Sequence, residues 1–166
     1  LKASLEASGT IFQATVDSEI ILHLLARATS HSFETDLLSC LRMLKGAFTL
    51  LFLTEQALIG CRDPNGFRPL CIGKLNQTYV LASETCALDL LGARFIREVE
   101  PGEVVVIDAD GLHSLHPFAG DLHPSHCLFE HVYFARPDSK IFSESVQAGR
   151  IRLGRQLARE HPAEAD

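Results

Sequence analysis

The hydrophobic period of this chain changes once, near Ala47, and that change limits the folds open to it more than any other feature. Before it, apolar residues recur at helical spacing. Asp17 precedes Glu19 and a stripe at Ile20, Ile21, Leu24, Leu25 and Ala28, which is one face of a helix. Ser32 opens a second helix, with its stripe at Leu37, Leu38, Leu41 and Leu44 and Cys40 beside it. Beyond the change, apolar residues come in short runs. Residues 47–53 and 57–61 are split by Thr54-Glu55-Gln56 and followed by the turn tetrad Asp63-Pro64-Asn65-Gly66, which predicts a hairpin. Residues 69–73 and 79–82 flank Lys74-Leu75-Asn76-Gln77 and predict a second one. Ser83 then suits the N-cap of a helix through Leu91 that ends at Gly92, with the strands running into this helix without a crossover. After Phe95-Ile96 come the turn Pro101-Gly102, a strand over 104–107 and the hairpin signal Asp110-Gly111. A last helix is expected from about residue 144 to 160, with Val146, Gly149, Leu153 and Leu157 on one stripe and the arginines mostly elsewhere.

Helices, hairpin-linked strands, a helix and more strands predict a layered α+β domain with a largely antiparallel sheet. Continuous apolar runs such as Leu50-Leu51-Phe52-Leu53 and Val104-Val105-Val106-Ile107 indicate sheets covered on both faces, as in a sandwich of two sheets between helical layers. The 21 acidic groups against 15 Lys plus Arg leave a formal charge of −6, which argues against a nucleic-acid or anionic-membrane surface. No apolar run reaches the roughly 18 residues of a membrane span. Five cysteines without a C-x-x-C spacing form no disulfide framework and fit a reducing cytoplasm.

Several residues could carry chemistry. Cys40, Cys61, Cys71 and Cys86 fall on apolar stripes, in strands or in the first turn of a helix, where cysteine acts as a small buried hydrophobe. Cys86 alone has a helix N-terminus that could lower its thiol pKa. His113, His116, His123, His126, Cys127 and His131 form a cluster whose H-x-x-H spacing matches no closed zinc finger, and Pro117, Gly120 and Pro124 mark it as an exposed loop. Arg62-Asp63 and Arg68-Pro69 bracket a tight turn and are expected to ion-pair across it, at little gain if exposed. Asp17 admits two compatible roles: a helix cap, or a carboxylate that binds an ammonium group.

Three stretches carry a family resemblance: 61–70 (Cys61-Arg62-Asp63-Pro64-Asn65-Gly66-Phe67-Arg68-Pro69-Leu70), 82–88 running on to Glu100-Pro101-Gly102-Glu103, and 127–139, which ends in Phe134-Ala135-Arg136-Pro137-Asp138-Ser139. In these motifs the chain resembles the glutamine phosphoribosylpyrophosphate amidotransferases. The resemblance implies a four-layer αββα sandwich of the N-terminal-nucleophile hydrolase type, incomplete at its N-terminus. It implies that residues 1–135 are the C-terminal part of a type 2 glutamine amidotransferase (glutaminase) domain, and 136–166 a linker and first helix leading to a phosphoribosyltransferase domain. The implied activity is transfer of glutamine-derived ammonia to phosphoribosylpyrophosphate, giving 5-phosphoribosylamine, glutamate and pyrophosphate in the first committed step of purine biosynthesis.

Of the family's glutamine-site residues, Asp17 in Val16-Asp17-Ser18-Glu19 matches the Asp that binds the substrate's α-amino group. The nucleophilic Cys, the carboxylate-binding Arg and the Asn-Gly oxyanion pair would lie upstream of Leu1, so the 166 residues alone are expected to be inactive on glutamine and prone to aggregation. No catalytic residue is assigned within them. Cys127 matches a position that ligates a [4Fe–4S] cluster in some members, the other three cysteines lying outside this chain. The resemblance further implies Mg²⁺ at the transferase site and a homo-oligomer, to which the charge and cysteine usage add a cytoplasmic location with neither nucleic acid nor membrane as partner. The alternatives are another type 2 glutamine amidotransferase, such as a glucosamine-phosphate or asparagine synthase, which the 134–139 stretch disfavours, and a non-catalytic metal-binding module built on the 113–131 loop.

Overall fold

The computed structural model describes residues 1–30, 32–118, 120 and 122–163. They fall into two compact units, Leu1–Lys45 and Gly46–Asp166.

The first unit is helical: α1 (Lys2–Ala7), α2 (Glu19–Ala26) and α3 (Phe33–Met43). The Ser32 hydroxyl accepts the Thr35 N–H, as an N-cap residue should. Ile21 of α2 and Leu37, Cys40 and Leu41 of α3 are buried, so the helical spacing identified the inward faces. The short α1 was not anticipated; its one buried residue is Leu5, too little periodicity to register in a sequence.

The second unit is built on two antiparallel sheets. The larger has the order β1 (Thr49–Leu53), β2 (Leu58–Arg62), β6 (Val104–Asp108), β7 (Gly111–Leu115). The smaller has β3 (Cys71–Leu75) between β4 (Thr78–Ala82) and β5 (Arg94–Glu98). Every hairpin expected from the turn residues forms, in the registers Leu53↔Leu58, Leu75↔Thr78 and Asp108↔Gly111. The sheets pack face to face through Leu70, Ile72, Val99 and Val105, with Tyr79, Leu81 and Leu112 around them. Gly60 permits the close approach, because a Cβ there would stand 2.7 Å from Leu81 Cδ1.

Alternation along β3 sends Cys71, Gly73 and Leu75 to the other face of the smaller sheet, where α4 (Thr85–Leu91) lies with Leu88 fully buried. Two sequence expectations need correcting here. The helix N-cap is Glu84, one residue later than Ser83, and the Glu84 carboxylate makes no cap hydrogen bond because it reaches Ser139 and the Arg136 amide instead. The helix is also a crossover: it carries the chain from the β4 edge to the β5 edge of the smaller sheet, past β3. Gly92 ends it in the left-handed conformation, φ 68°, as expected.

Past β7 the chain runs to a π-helical turn (Glu130–Phe134), a two-residue hairpin of β8 (Lys140–Ile141) and β9 (Glu144–Ser145), and α5 (Val146–Glu160). The Arg150 side chain donates to the carbonyls of His131 and Ala135, which ties α5 to the π-helical turn. The α5 stripe is only half realised. Val146 and Gly149 are buried, whereas Leu153 and Leu157 are 48% and 60% exposed, since only the first turns of the helix pack against the unit.

Candidate functional site

The first unit presents Asp17. Segment 10–16, with Lys2 and Glu6, lines an open groove of about 790 Å³, and Asp17 follows directly on that segment. Two side chains tie residues 8–14 down, Glu19 next to Asp17 and Arg27, the C-cap residue at the opposite end of α2. At the far end, Arg27 donates to the hydroxyls of Ser8 and Thr10, both at 2.5 Å. At the near end, Glu19 accepts the backbone N–H groups of Gln13 and Ala14 at 2.8 and 2.9 Å, and the Gln13 bond leads the influences that hold its carboxyl below the ordinary value.

The first N–H groups of α2 are already satisfied by backbone: Glu19, Ile20 and Ile21 donate to the carbonyls of Val16, Asp17 and Ser18. The N-cap is Ser18, with no side-chain cap bond. The capping role open to Asp17 on sequence grounds is therefore not used. Its side chain is exposed and, among the described residues, has no hydrogen-bond partner. An exposed carboxylate beside a groove, on a backbone fixed at both sides, is suited to an ammonium ligand.

In the second unit the turn after β2 is a rigid platform. The Asp63 carboxylate is buried and accepts the N–H groups of Asn65 (2.8 Å), Phe48 (3.1 Å) and Phe67 (3.3 Å). The Arg62 guanidinium, 1% exposed, donates to the carbonyls of Val99, Gly66 and Arg68. Burial pulls its pKa below the ordinary guanidinium value. The sequence expectation of an exposed ion pair is thus corrected: Arg62 and Asp63 serve the backbone. Arg68 pairs instead with the buried Glu130, Nε to Oε1 at 2.8 Å. Desolvation pushes the Glu130 carboxyl above its ordinary value despite that cation.

Segment 123–127 lies along this platform, with the N–H groups of His123, Ser125 and Cys127 donating to the carbonyls of Pro64, Asn65 and Phe67. Cys40, Cys61, Cys71 and Cys86 are all buried, as expected, and Cys127 is the one cysteine that is not. Burial pushes the Cys71 thiol up to about 12, which removes it as a nucleophile at neutral pH. The histidines do not form the loop cluster the spacing suggested. His113 stands on β7, 3.8 Å from Asp108. His126 stacks on Phe142 at 4.0 Å, and His131 faces Glu144 at 3.7 Å. Among the described residues no three His, Cys, Asp or Glu side chains come together as a metal site. The residues around Cys127 therefore do not by themselves fit a four-cysteine cluster.

Two arrangements escaped the sequence reading. Glu84 joins β4 and α4 to the 136–139 segment, accepting the Arg136 N–H and the Ser139 hydroxyl, both at 2.8 Å. Glu103, 1% exposed, accepts both terminal nitrogens of Arg97 at 2.8 and 2.6 Å, the Glu100 N–H at 2.6 Å and the Ser114 hydroxyl at 2.5 Å. Apart from the Glu100 amide, the partners lie on other elements of the fold, and no local pattern marks them.

A family model described as a glutamine amidotransferase domain matches residues 1–90. The chain belongs to that family. Across its full length this glutamine amidotransferase domain is 45% identical to an amidophosphoribosyltransferase of Bacillus subtilis, covering 35% of that protein. It is 51% identical over 154 residues to one of Mycobacterium tuberculosis, with 92% of this chain and 29% of the relative covered. A chloroplastic amidophosphoribosyltransferase of Glycine max is 46% identical over 172 residues, of which this chain spans 29%.

Two solved structures superpose over 99% of the chain at 44% identity. One is the glutamine phosphoribosylpyrophosphate amidotransferase from B. subtilis complexed with ADP and GMP, with a TM-score of 0.94 and 36% of its chain covered. The other is described as the allosteric regulatory enzyme of purine biosynthesis, with a TM-score of 0.95 and 35% covered. The fold is accordingly the α+β type of their glutamine domain, an N-terminal-nucleophile hydrolase fold. The chain spans about a third of the length of these relatives. Among the described residues no helix is long and apolar enough to cross a membrane.

Proposed function

We propose that this chain is part of the glutamine-hydrolysing domain of a cytoplasmic amidophosphoribosyltransferase, which passes ammonia from glutamine to phosphoribosylpyrophosphate. The observation that carries the reading is identity of 45–51% to amidophosphoribosyltransferases over nearly all of the chain. On this reading Asp17 binds the α-amino group of glutamine. Its free carboxylate and fixed backbone support that role. The nucleophile and the remaining substrate contacts come from outside these residues, as does the Mg²⁺-dependent transferase site. Residues 136–166 form the link and first helix towards that site. Cys127, half-exposed beside the platform, is the cysteine here able to lend a thiolate to a [4Fe–4S] cluster, with three ligands supplied from elsewhere. The working enzyme is a homo-oligomer.

The test uses the complete enzyme and measures glutamine-dependent and ammonia-dependent formation of phosphoribosylamine side by side. Asp17→Asn removes the charge that faces the ammonium group while keeping size, and is expected to raise KM for glutamine at least tenfold, about 1.4 kcal/mol of binding. Ammonia-dependent turnover is expected to stay within twofold. Equal loss of both activities would make Asp17 a structural residue and refute its assignment.

A further inference from the structure

Glu19 is two residues beyond Asp17, and its side chain reaches back over it. Each carboxylate oxygen takes one backbone amide, Oε1 that of Gln13 at 2.8 Å and Oε2 that of Ala14 at 2.9 Å. The Ala14 bond closes a small ring, residues 14–19, and Asp17 lies within it. Inside the ring the Glu19 N–H donates to Val16 O at 3.2 Å, and just beyond it the Ile20 N–H donates to Asp17 O at 3.2 Å. The backbone around Asp17 is thereby pinned on both sides. The carboxylate of Asp17 takes no part in these bonds and stays exposed. His23, one turn along α2, stands with Nε2 3.4 Å from Glu19 Oε1, and its ring meets Phe12 edge-on at 4.8 Å. The clasp is thus braced on the helix side as well.

We propose that Glu19 is a positioning residue for the glutamine site, clasping the Gln13 and Ala14 amides so that Asp17 is held ready for the substrate's ammonium group. The proposal rests on the reading of Asp17 as the ammonium-binding residue. A carboxylate with two acceptor oxygens suits the task, because it satisfies two adjacent donors at once and its ionised state strengthens both bonds. Ordering the segment before the ligand arrives lowers the entropic cost of binding. That effect falls on ground-state binding of glutamine and leaves chemistry at the distant transferase site untouched.

The experiment compares Glu19→Ala, Glu19→Gln and Arg27→Met in the complete enzyme, with Asp17→Asn in parallel. Glu19→Ala is expected to raise glutamine KM about tenfold, with kcat and ammonia-dependent activity within twofold of the parent. Glu19→Gln keeps one acceptor oxygen and is expected to fall between the two. Arg27→Met severs a comparable set of bonds, but at Ser8 and Thr10, and is expected to shift KM by less than threefold. The positioning role is overturned if Glu19→Ala leaves KM unchanged while Asp17→Asn raises it, or if Arg27→Met raises KM as much as Glu19→Ala does. It is overturned likewise if Glu19→Ala and Glu19→Gln lose both activities together. If neither Asp17→Asn nor Glu19→Ala moves glutamine KM, the reading of Asp17 fails first, and the proposal falls with it.

Discussion

The Arg97–Glu103 pair joins an edge strand of one sheet to the loop entering the other, and its two members are not equally deep. Glu103 is 1% exposed and Arg97 38%. Removing one member of a fully buried pair costs about 3–5 kcal/mol, mainly through the charge left behind. Arg97→Met leaves the buried member alone, with only the Ser114 hydroxyl and the Glu100 amide as donors, so a loss of about 3–4 kcal/mol is expected. Glu103→Ala leaves a guanidinium that already meets water over more than a third of its surface, and the loss is expected to be smaller, about 2 kcal/mol. The double variant should then cost less than the sum.

Acid sharpens the test. Burial opposes ionisation of Glu103, but the Arg97 guanidinium, the Ser114 hydroxyl and the Glu100 amide outweigh it and hold the carboxyl below its ordinary value. A lowered folded-state pKa means the unfolded chain binds the proton first. The stabilisation is therefore present above the ordinary carboxylate range and is lost as pH falls through the folded-state value. In Arg97→Met the main counter-charge is gone, so the deficit relative to the parent should shrink as pH drops from 7 towards 4. Urea unfolding at low micromolar protein, followed by circular dichroism at several pH values, reads both effects. Equal costs for the two single variants, or a deficit in Arg97→Met that grows in acid, would refute the burial argument.

Two further variants probe packing and an open edge. A Cβ on Gly73 would lie 2.6 and 2.9 Å from the two Leu88 methyl carbons and 3.2 Å from Cγ, so Gly73→Ala is expected to cost about 1–3 kcal/mol. That cost should shrink in a Leu88→Ala background, measured by the same unfolding assay. Strand β1 is an edge of the larger sheet, and Leu53 on it is 83% exposed. Leu53→Lys should reduce aggregation of the 166-residue chain in light scattering with little change in the unfolding midpoint.

Much of this architecture was legible because its signals are local. Ser32, Asn76-Gln77, Asp110-Gly111 and Gly92 act within a few residues of themselves, and each turn or cap formed at its signal, the Asp-Gly hairpin one residue early, with Ala109-Asp110 in the loop and Gly111 opening β7. Asp17 was legible as a candidate through the motif around it, whereas the clasp that holds it was not, because Glu19 reads as an ordinary first-turn acid. Arg62 and Asp63 were misjudged for a related reason. Charged residues in a turn are exposed in most proteins, and only the tertiary fold supplies the backbone groups that let these two stay inside. The β8–β9 hairpin was missed because its two loop residues, Phe142 and Ser143, adopt φ of 50° and 63° without a glycine to announce them. Contacts to His126, and Glu98 accepting the Ser143 N–H, hold the hairpin in place.

The order of strands also dictates a sequence of events. Strands β2 and β6 are hydrogen-bonded neighbours, yet the whole smaller sheet and α4 are inserted between them along the chain. The three tight hairpins can each zip up on a microsecond scale, since their partners are adjacent in sequence. Joining Cys61 to Val104 must wait until the intervening segment has condensed, because closing so long a loop loses entropy that only a formed inter-sheet core returns. The β2–β6 seam is therefore expected to close late in assembly of this unit. Until it closes, the apolar inner faces of both sheets stay in water together.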